Sequence, residues 1–200
     1  METIKDDIKV YDPVNINNSV YYSKIMYKNS EITLQTDKAK LSINKDKNKG
    51  KINVSDKIND FIKNVSKAVI EITSEKSEYF FGKKITVEDC ETIYKEAFID
   101  NTLHCFFDED TYFYKSKNEK IKLENLDNEL EGIALLKCSA IVYTKHSFFI
   151  RWEISQFKMK QDKKVENTIL QEYSIKDLPE HDHPLDGDPL AKKLEEITLF

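Results

Sequence analysis

Aromatic rings interleaved with cations recur along this chain. One run carries Tyr22, Lys24, Met26 and Lys28, a second Phe113, Lys115 and Lys117, and a third Lys137, Ser139, Ile141 and Tyr143, followed by Lys145. A fourth carries Phe149, Arg151, Glu153, Ser155 and Phe157, followed by Lys158 and Lys160. In an extended segment alternate residues share a face, so each run presents rings and cations on one side. Such a face suits single-stranded nucleic acid, because a ring stacks on any base and an ammonium neutralises a phosphate. Each stacked base is worth roughly 1–3 kcal/mol. The competing expectation is that the same rings pack beneath helices while lysine stems cover them.

Other reactive groups are sparse. His104 and Cys105 are adjacent and point to opposite faces of a strand, so a Cys–His dyad would need a partner from elsewhere. Glu180-His181-Asp182-His183, with Asp186 and Asp188, offers ligand types for a divalent ion, but a proline-rich segment does not preorganise them. There is no glycine-rich phosphate loop, GxSxG, HExxH or kinase signature. Neither an enzymatic activity nor a cofactor or metal is expected. Cys90, Cys105 and Cys138 include no CxxC pair, which argues against a disulfide framework or a zinc knuckle.

Charge is unevenly distributed. The 200 residues carry a formal net charge of −5, and the whole of it falls in 177–200, where seven acidic residues face Lys192 and Lys193. Residues 1–176 balance 29 acidic against 29 basic side chains, and three of the four prolines lie beyond them. This predicts a single domain over 1–176 and an acidic tail over 177–200. Three segments of the body are basic: Lys38–Lys51, Lys115–Lys122 and Lys158–Lys164. Were they to converge, they would form a phosphate-tracking groove. No apolar run reaches the roughly 20 residues a membrane helix needs, and the N-terminus has no signal-like apolar stretch, so an intracellular protein without membrane contact is expected.

The elements that must position these residues are readable from periodicity. Strands are expected at 20–27, with 31–36 as its hairpin partner, and at 41–43. Further strands are expected at 103–107 and 111–115 around an acidic turn, and in a long hairpin of 133–143 and 148–157 around Thr144-Lys145-His146-Ser147. Between the strand groups, Ile58, Phe61, Ile62, Val65, Val69 and Ile72 form the stripe of an amphipathic helix with Ser55 as N-cap. A second helix opens with Thr86 and Asp89 as a capping box, its stripe running from Val87 through Cys90, Ile93, Tyr94 and Ala97 to Phe98. Residues 165–175 could add a strand and 190–199 a short helix. The class is α+β, mostly β, and a small Greek-key barrel with two inserted helices fits the order as well as an open sheet does.

That order also carries a resemblance. Ile32-Thr33-Leu34-Gln35-Thr36, then a helix ending in Phe80-Phe81-Gly82-Lys83-Lys84, a helix opened by Thr86, and a late strand with Ile150-Arg151-Trp152-Glu153-Ile154 resemble the single-stranded DNA-binding proteins of large nucleocytoplasmic DNA viruses. These are similar in turn to the podovirus phage single-strand binding proteins. The resemblance covers roughly residues 20–160 and implies an OB barrel that coats single-stranded DNA in viral replication, recombination or repair within the host cell. It also implies a tail that shields the DNA groove and recruits replication proteins, here through Asp182, Asp186, Asp188, Glu195, Glu196 and the terminal Phe200.

The expectation is therefore sequence-tolerant, salt-sensitive binding of single-stranded DNA. Bases would stack on Tyr22, Phe113, Tyr143, Phe149 and Phe157. Phosphates would be held by Lys24, Lys28, Lys115, Lys117, Lys145, Arg151, Lys158 and Lys160. The alternative is a non-enzymatic viral or host-modulating interaction module that works through its tail, whose apolar Leu190, Leu194, Ile197 and Leu199 would dock on a partner or on a sister subunit in a homodimer.

Overall fold

The computed structural model describes residues 4–160, apart from 18, 109, 117 and 118. The tail, the possible strand at 165–175, the helix at 190–199 and Lys117 therefore lie outside the described residues.

Five strands organise the chain: β1 (Ala39–Asn44), β2 (Lys49–Asn53), β3 (Thr102–Phe106), β4 (Glu129–Thr144) and β5 (Phe148–Met159). Period-two patterning makes them strands with one apolar face. In β1, for example, Ala39, Leu41 and Ile43 are buried and the residues between them exposed. β1 pairs antiparallel with β2, and β2 with β3. β3 meets β5 in parallel at Phe106↔Glu153, β5 runs antiparallel to β4, and β4 returns antiparallel to β1. The circuit closes, giving a five-stranded barrel in a mostly β protein. Closure removes the unpaired edges that an open sheet would present. Leu41, Ile52, Leu103, Leu136, Ile150, Trp152 and Ile154 belong to the buried core, each no more than 1% exposed.

Two glycines permit close approaches. Gly50 leaves room for the Phe107 ring, whose Cζ would lie 2.7 Å from an added Cβ. At Gly132 a Cβ would sit 2.1 Å from the Lys158 carbonyl oxygen, so backbone and not a movable side chain would have to yield. Gly132→Ala is expected to lower stability by about 1–3 kcal/mol, the usual range for overpacking. Urea unfolding of the two proteins measures it, and an unchanged midpoint would refute the close approach.

Between β2 and β3 run α1 (Asp56–Glu75), α2 (Ser77–Phe81) and α3 (Val87–Ile93). Of the expected stripe of α1, Phe61, Ile62, Val65, Val69 and Ile72 are buried. Ser55 occupies the N-cap position without making a side-chain cap bond, whereas Thr86 Oγ1 accepts from the Asp89 amide at 3.1 Å. The inserted helices number three. α2 is a single short turn closed by Gly82 in the left-handed region (φ 69°). α3 stops at Ile93 because Tyr94 turns extended, and Phe98 enters a short strand on β3.

Two expected arrangements are corrected. Residues 33–35 pair with β4 through Leu34↔Leu136, and 25–27 pair with Ile8–Val10, so these two segments are not hairpin partners. The stripe from Tyr22 to Lys28 is also broken. The strand interrupts at Lys24, and Lys28 and Asn29 adopt positive φ (48° and 63°) in a turn.

Candidate nucleic-acid interface

On β3, alternation sends Leu103 and Cys105 inward, and Thr102, His104 and Phe106 outward. The adjacent β2 sends Lys49, Lys51 and Asn53 outward, and register sets Lys49 opposite Phe106 and Lys51 opposite His104. β5 contributes half-buried Phe149, Arg151 and Glu153 from its outer face. Phe106 gathers these groups. Its ring lies near parallel to that of Phe149, with centroids 6.4 Å apart and 21° between planes. The Arg151 guanidinium carbon is 4.4 Å from its centroid and the Lys49 ammonium 5.0 Å. A ring flanked by two cations attracts another π-system or an anion, while its own cation–π contacts hold the cations in place.

The electrostatics agree. Among the described residues neither Lys49 nor Lys51 makes an ion pair. His104 is held below its usual value of 6.5, first by partial burial and then by the neighbouring charge of Lys51, with a further contribution from Lys49. Between the two values the unfolded chain binds a proton that the fold does not, so stability is expected to fall as pH drops below about 6.5. Urea midpoints at pH 7.5 and 5.5 test this, and His104→Gln should reduce the difference.

Of the residues expected to stack bases, only Phe149 lies on this face. Tyr22 is half-buried on a strand paired to β4 at Val142. Phe113, Tyr143 and Phe157 are core residues, each no more than 2% exposed, and their assignment to bases is corrected. Phe157 changes face because Ser155 bulges. Gln156 pairs with Leu135 and Ile154 with Leu136, so one residue is skipped and the alternation inverts. Phe113 packs on Phe107 and Phe157 (5.6 and 6.2 Å between centroids), and a register shift between Tyr114 and Ser116 uncouples it from Lys115. Tyr143 is covered by the helical layer. Phe80 stacks on it at 4.5 Å, its hydroxyl lies 3.2 Å from Thr73 Oγ1, and burial raises its pKa.

The expected phosphate ligands divide similarly. Arg151 joins the Phe106 face but donates from Nε to Glu153 Oε1 at 2.5 Å. Lys24 lies 3.6 Å from Glu31, whose carboxyl also binds Lys137 at 2.9 Å. The Lys137 bond, foremost, holds the Glu31 carboxyl below the usual carboxylate range. Lys28 pairs with Asp7 at 3.7 Å and Lys160 with Glu131 at 3.5 Å. Lys40 also reaches Glu131, at 3.9 Å, so the first and third basic segments adjoin through a carboxylate. The second meets the third where Tyr114 pairs with Lys158, next to the exposed Lys115. Lys145 stands exposed at the β4–β5 tip. Phe106 was not singled out in the sequence reading, and Lys49 and Lys51 entered it only as members of the basic segment Lys38–Lys51. The signal was present in the alternation of Leu103 and Cys105 with His104 and Phe106, which sends Phe106 to the face opposite the apolar pair.

All three cysteines are buried and free. Burial pushes the Cys105 thiol up to about 12, and its Sγ donates to the Gly50 carbonyl at 3.4 Å, so it is an inert core residue. Among the described residues no cluster of three or more metal-ligating side chains occurs, and no helix is long and apolar enough to cross a membrane. The His181 and His183 cluster lies outside them.

A family profile matches residues 37–177, a span containing all five barrel strands and the three helices. The chain belongs to the family of unknown function DUF5871. The Phe106 face thus falls within the DUF5871 region, while the strands at 8–10, 14–17, 20–23 and 25–27 precede it. No curated protein and no solved structure matches the chain.

Proposed function

We propose that this DUF5871 protein is a sequence-tolerant single-stranded DNA-binding protein whose contact surface is the outer face of β2, β3 and β5. The observation that carries the reading is the Phe106 ring, paired with Phe149 and flanked by Lys49 and Arg151. Strand order adds support. Around the barrel it runs β1-β2-β3-β5-β4, with β3 and β5 parallel, the circuit of an OB barrel. OB barrels bind oligonucleotides on their second and third strands and on the loops at 1–2 and 4–5. Here those loops are Lys45–Asn48 and Lys145–Ser147. Phe106 and Phe149 would stack on bases, Lys49 and Lys51 would meet phosphates, and Arg151 would be oriented by Glu153. The role follows that of the viral family the sequence resembles, coating single strands in replication, recombination or repair.

Anisotropy of a labelled oligo-dT, at low and at physiological salt with duplex DNA beside it, tests the proposal. Tight binding to the single strand, weakened by salt, is expected. No binding at low salt would sink it. Phosphate near His104 restores its affinity for a proton, so binding takes up protons and affinity should rise as pH falls from 8 to 6. In His104→Gln that pH dependence should flatten.

A further inference from the structure

A second basic site lies at the β4–β5 tip. A cleft of about 610 Å³ opens between this tip and the α2–α3 connection. Its inner surface includes the rings of Phe80 and Phe81, and exposed Tyr21 stands at its side. Gly82, in the left-handed region, ends α2 and turns the chain so that Lys83 and Lys84 line one wall. Lys145 lines the other, from a tip held closed by Thr144 and Ser147, whose backbone N–H···O bond measures 2.8 Å. Among the described residues Lys83, Lys84 and Lys145 make no ion pair. Elsewhere Lys24, Lys28, Lys40, Lys137 and Lys160 all face carboxylates. Among the described residues Asp89 is the single acid along the cleft.

Three uncompensated ammonium groups around ring surfaces suit a ligand that joins a flat ring to an anion, and the volume is that of a small-molecule site. We propose that this cleft binds a nucleotide, its base against the Tyr21 and Phe80 rings and its phosphate between the Lys83–Lys84 wall and Lys145. The site shares the Lys145–Ser147 loop with the surface proposed above but none of Phe106, Phe149, Lys49 and Lys51, and it does not depend on the Phe106 face binding DNA. The nucleotide can be free or a unit of a single strand passing the hairpin tip, and the chemistry of recognition is the same.

The test is titration of the full-length, isotope-labelled protein, followed by NMR, with thymidine 5′-monophosphate, inorganic phosphate and oligo-dT as separate probes. The monophosphate is expected to shift Tyr21, Lys83, Lys84 and Lys145 together, and to bind more tightly than inorganic phosphate. K83E/K84E should weaken it about tenfold or more, as loss of charge-assisted contacts does. K145E, on the opposite wall and in a different element, should weaken it likewise. All three lysines are exposed or solvent-facing at the rim, and unchanged melting temperatures would show that the variants fold. If the cleft serves a passing strand, oligo-dT binds more tightly than the monophosphate, and K83E/K84E lowers its salt slope by about 1.4, two phosphate contacts' worth. If it serves a free nucleotide, the oligo-dT salt slope does not change. The proposal is overturned if the monophosphate leaves these resonances unmoved, if inorganic phosphate binds equally well, or if neither variant weakens binding. A failure of oligo-dT to bind the Phe106 face would leave the monophosphate result standing.

Discussion

Replacing Phe106 and Phe149 together by Ala is expected to weaken oligo-dT binding by two to four orders of magnitude at constant salt. Each ring that stacks on a base contributes roughly 1–3 kcal/mol, and the two rings act on neighbouring bases. The pair should not contribute additively, because the rings also contact each other. Phe106→Ala alone is expected to have the larger single effect, since it removes the surface on which Arg151 and Lys49 rest. Phe106→Tyr keeps the ring and should retain most of the affinity. Melting temperatures should fall only modestly, because both rings are half-buried on the outer face and neither belongs to the core. Anisotropy with labelled oligo-dT measures the loss. Affinity unchanged in the double variant would remove this face from consideration.

Truncating Phe157 is expected to act on the other side of the ledger, on stability. Phe157→Ala should cost about 3–5 kcal/mol, the range for deleting a large ring from a packed core. The ring is 0% exposed, lies against Phe113, and packs so near Gly132 that a Cβ added there would lie 2.8 Å from its Cε1. Denaturant unfolding followed by Trp152 fluorescence measures the shift. Whatever fraction remains folded should bind DNA with undiminished affinity, because Phe157 does not reach the surface. If instead stability held and binding fell, Phe157 would be a contact residue and the inversion of face at Ser155 would be wrong. Paired with the double variant of Phe106 and Phe149, this experiment separates rings that hold the barrel together from rings that meet a ligand.

The contrast between Phe157 and Phe149 also shows where reading a linear pattern stops. Both belong to one strand and differ by an even number of positions, so strict alternation assigns them one face. Ser155 is left unpaired between Gln156 and Ile154, and every side chain beyond it changes side. A serine bulge has no signature of its own in the sequence. Ser139 lies in a second such irregularity, between Cys138 and Ala140 on β4. Tyr143 misled for a different reason. Its strand end is buried on both faces, one by the barrel and one by α1 and α2, and nothing local announces that second layer.

What the sequence determined by itself is the local grammar of the protein. The helical stripe of α1, the Thr86 cap, the long β4–β5 hairpin and the apolar alternation of β1 and β3 follow from side-chain periodicity and capping chemistry within a few residues, whereas β2, at Lys49–Asn53 in a Lys-rich stretch that reads as a loop, did not. What only the tertiary structure decided is which strands meet and what each charge faces. The parallel β3–β5 seam that brings Phe106 to Arg151 joins residues 45 positions apart. Glu31, Asp7 and Glu131 neutralise lysines that look available in the chain, and among the described residues Lys49, Lys51, Lys83 and Lys84 remain uncompensated. Strand pairing and ion pairing depend on contacts between distant segments, whose energies compete across the whole fold, and no window of neighbouring residues contains them.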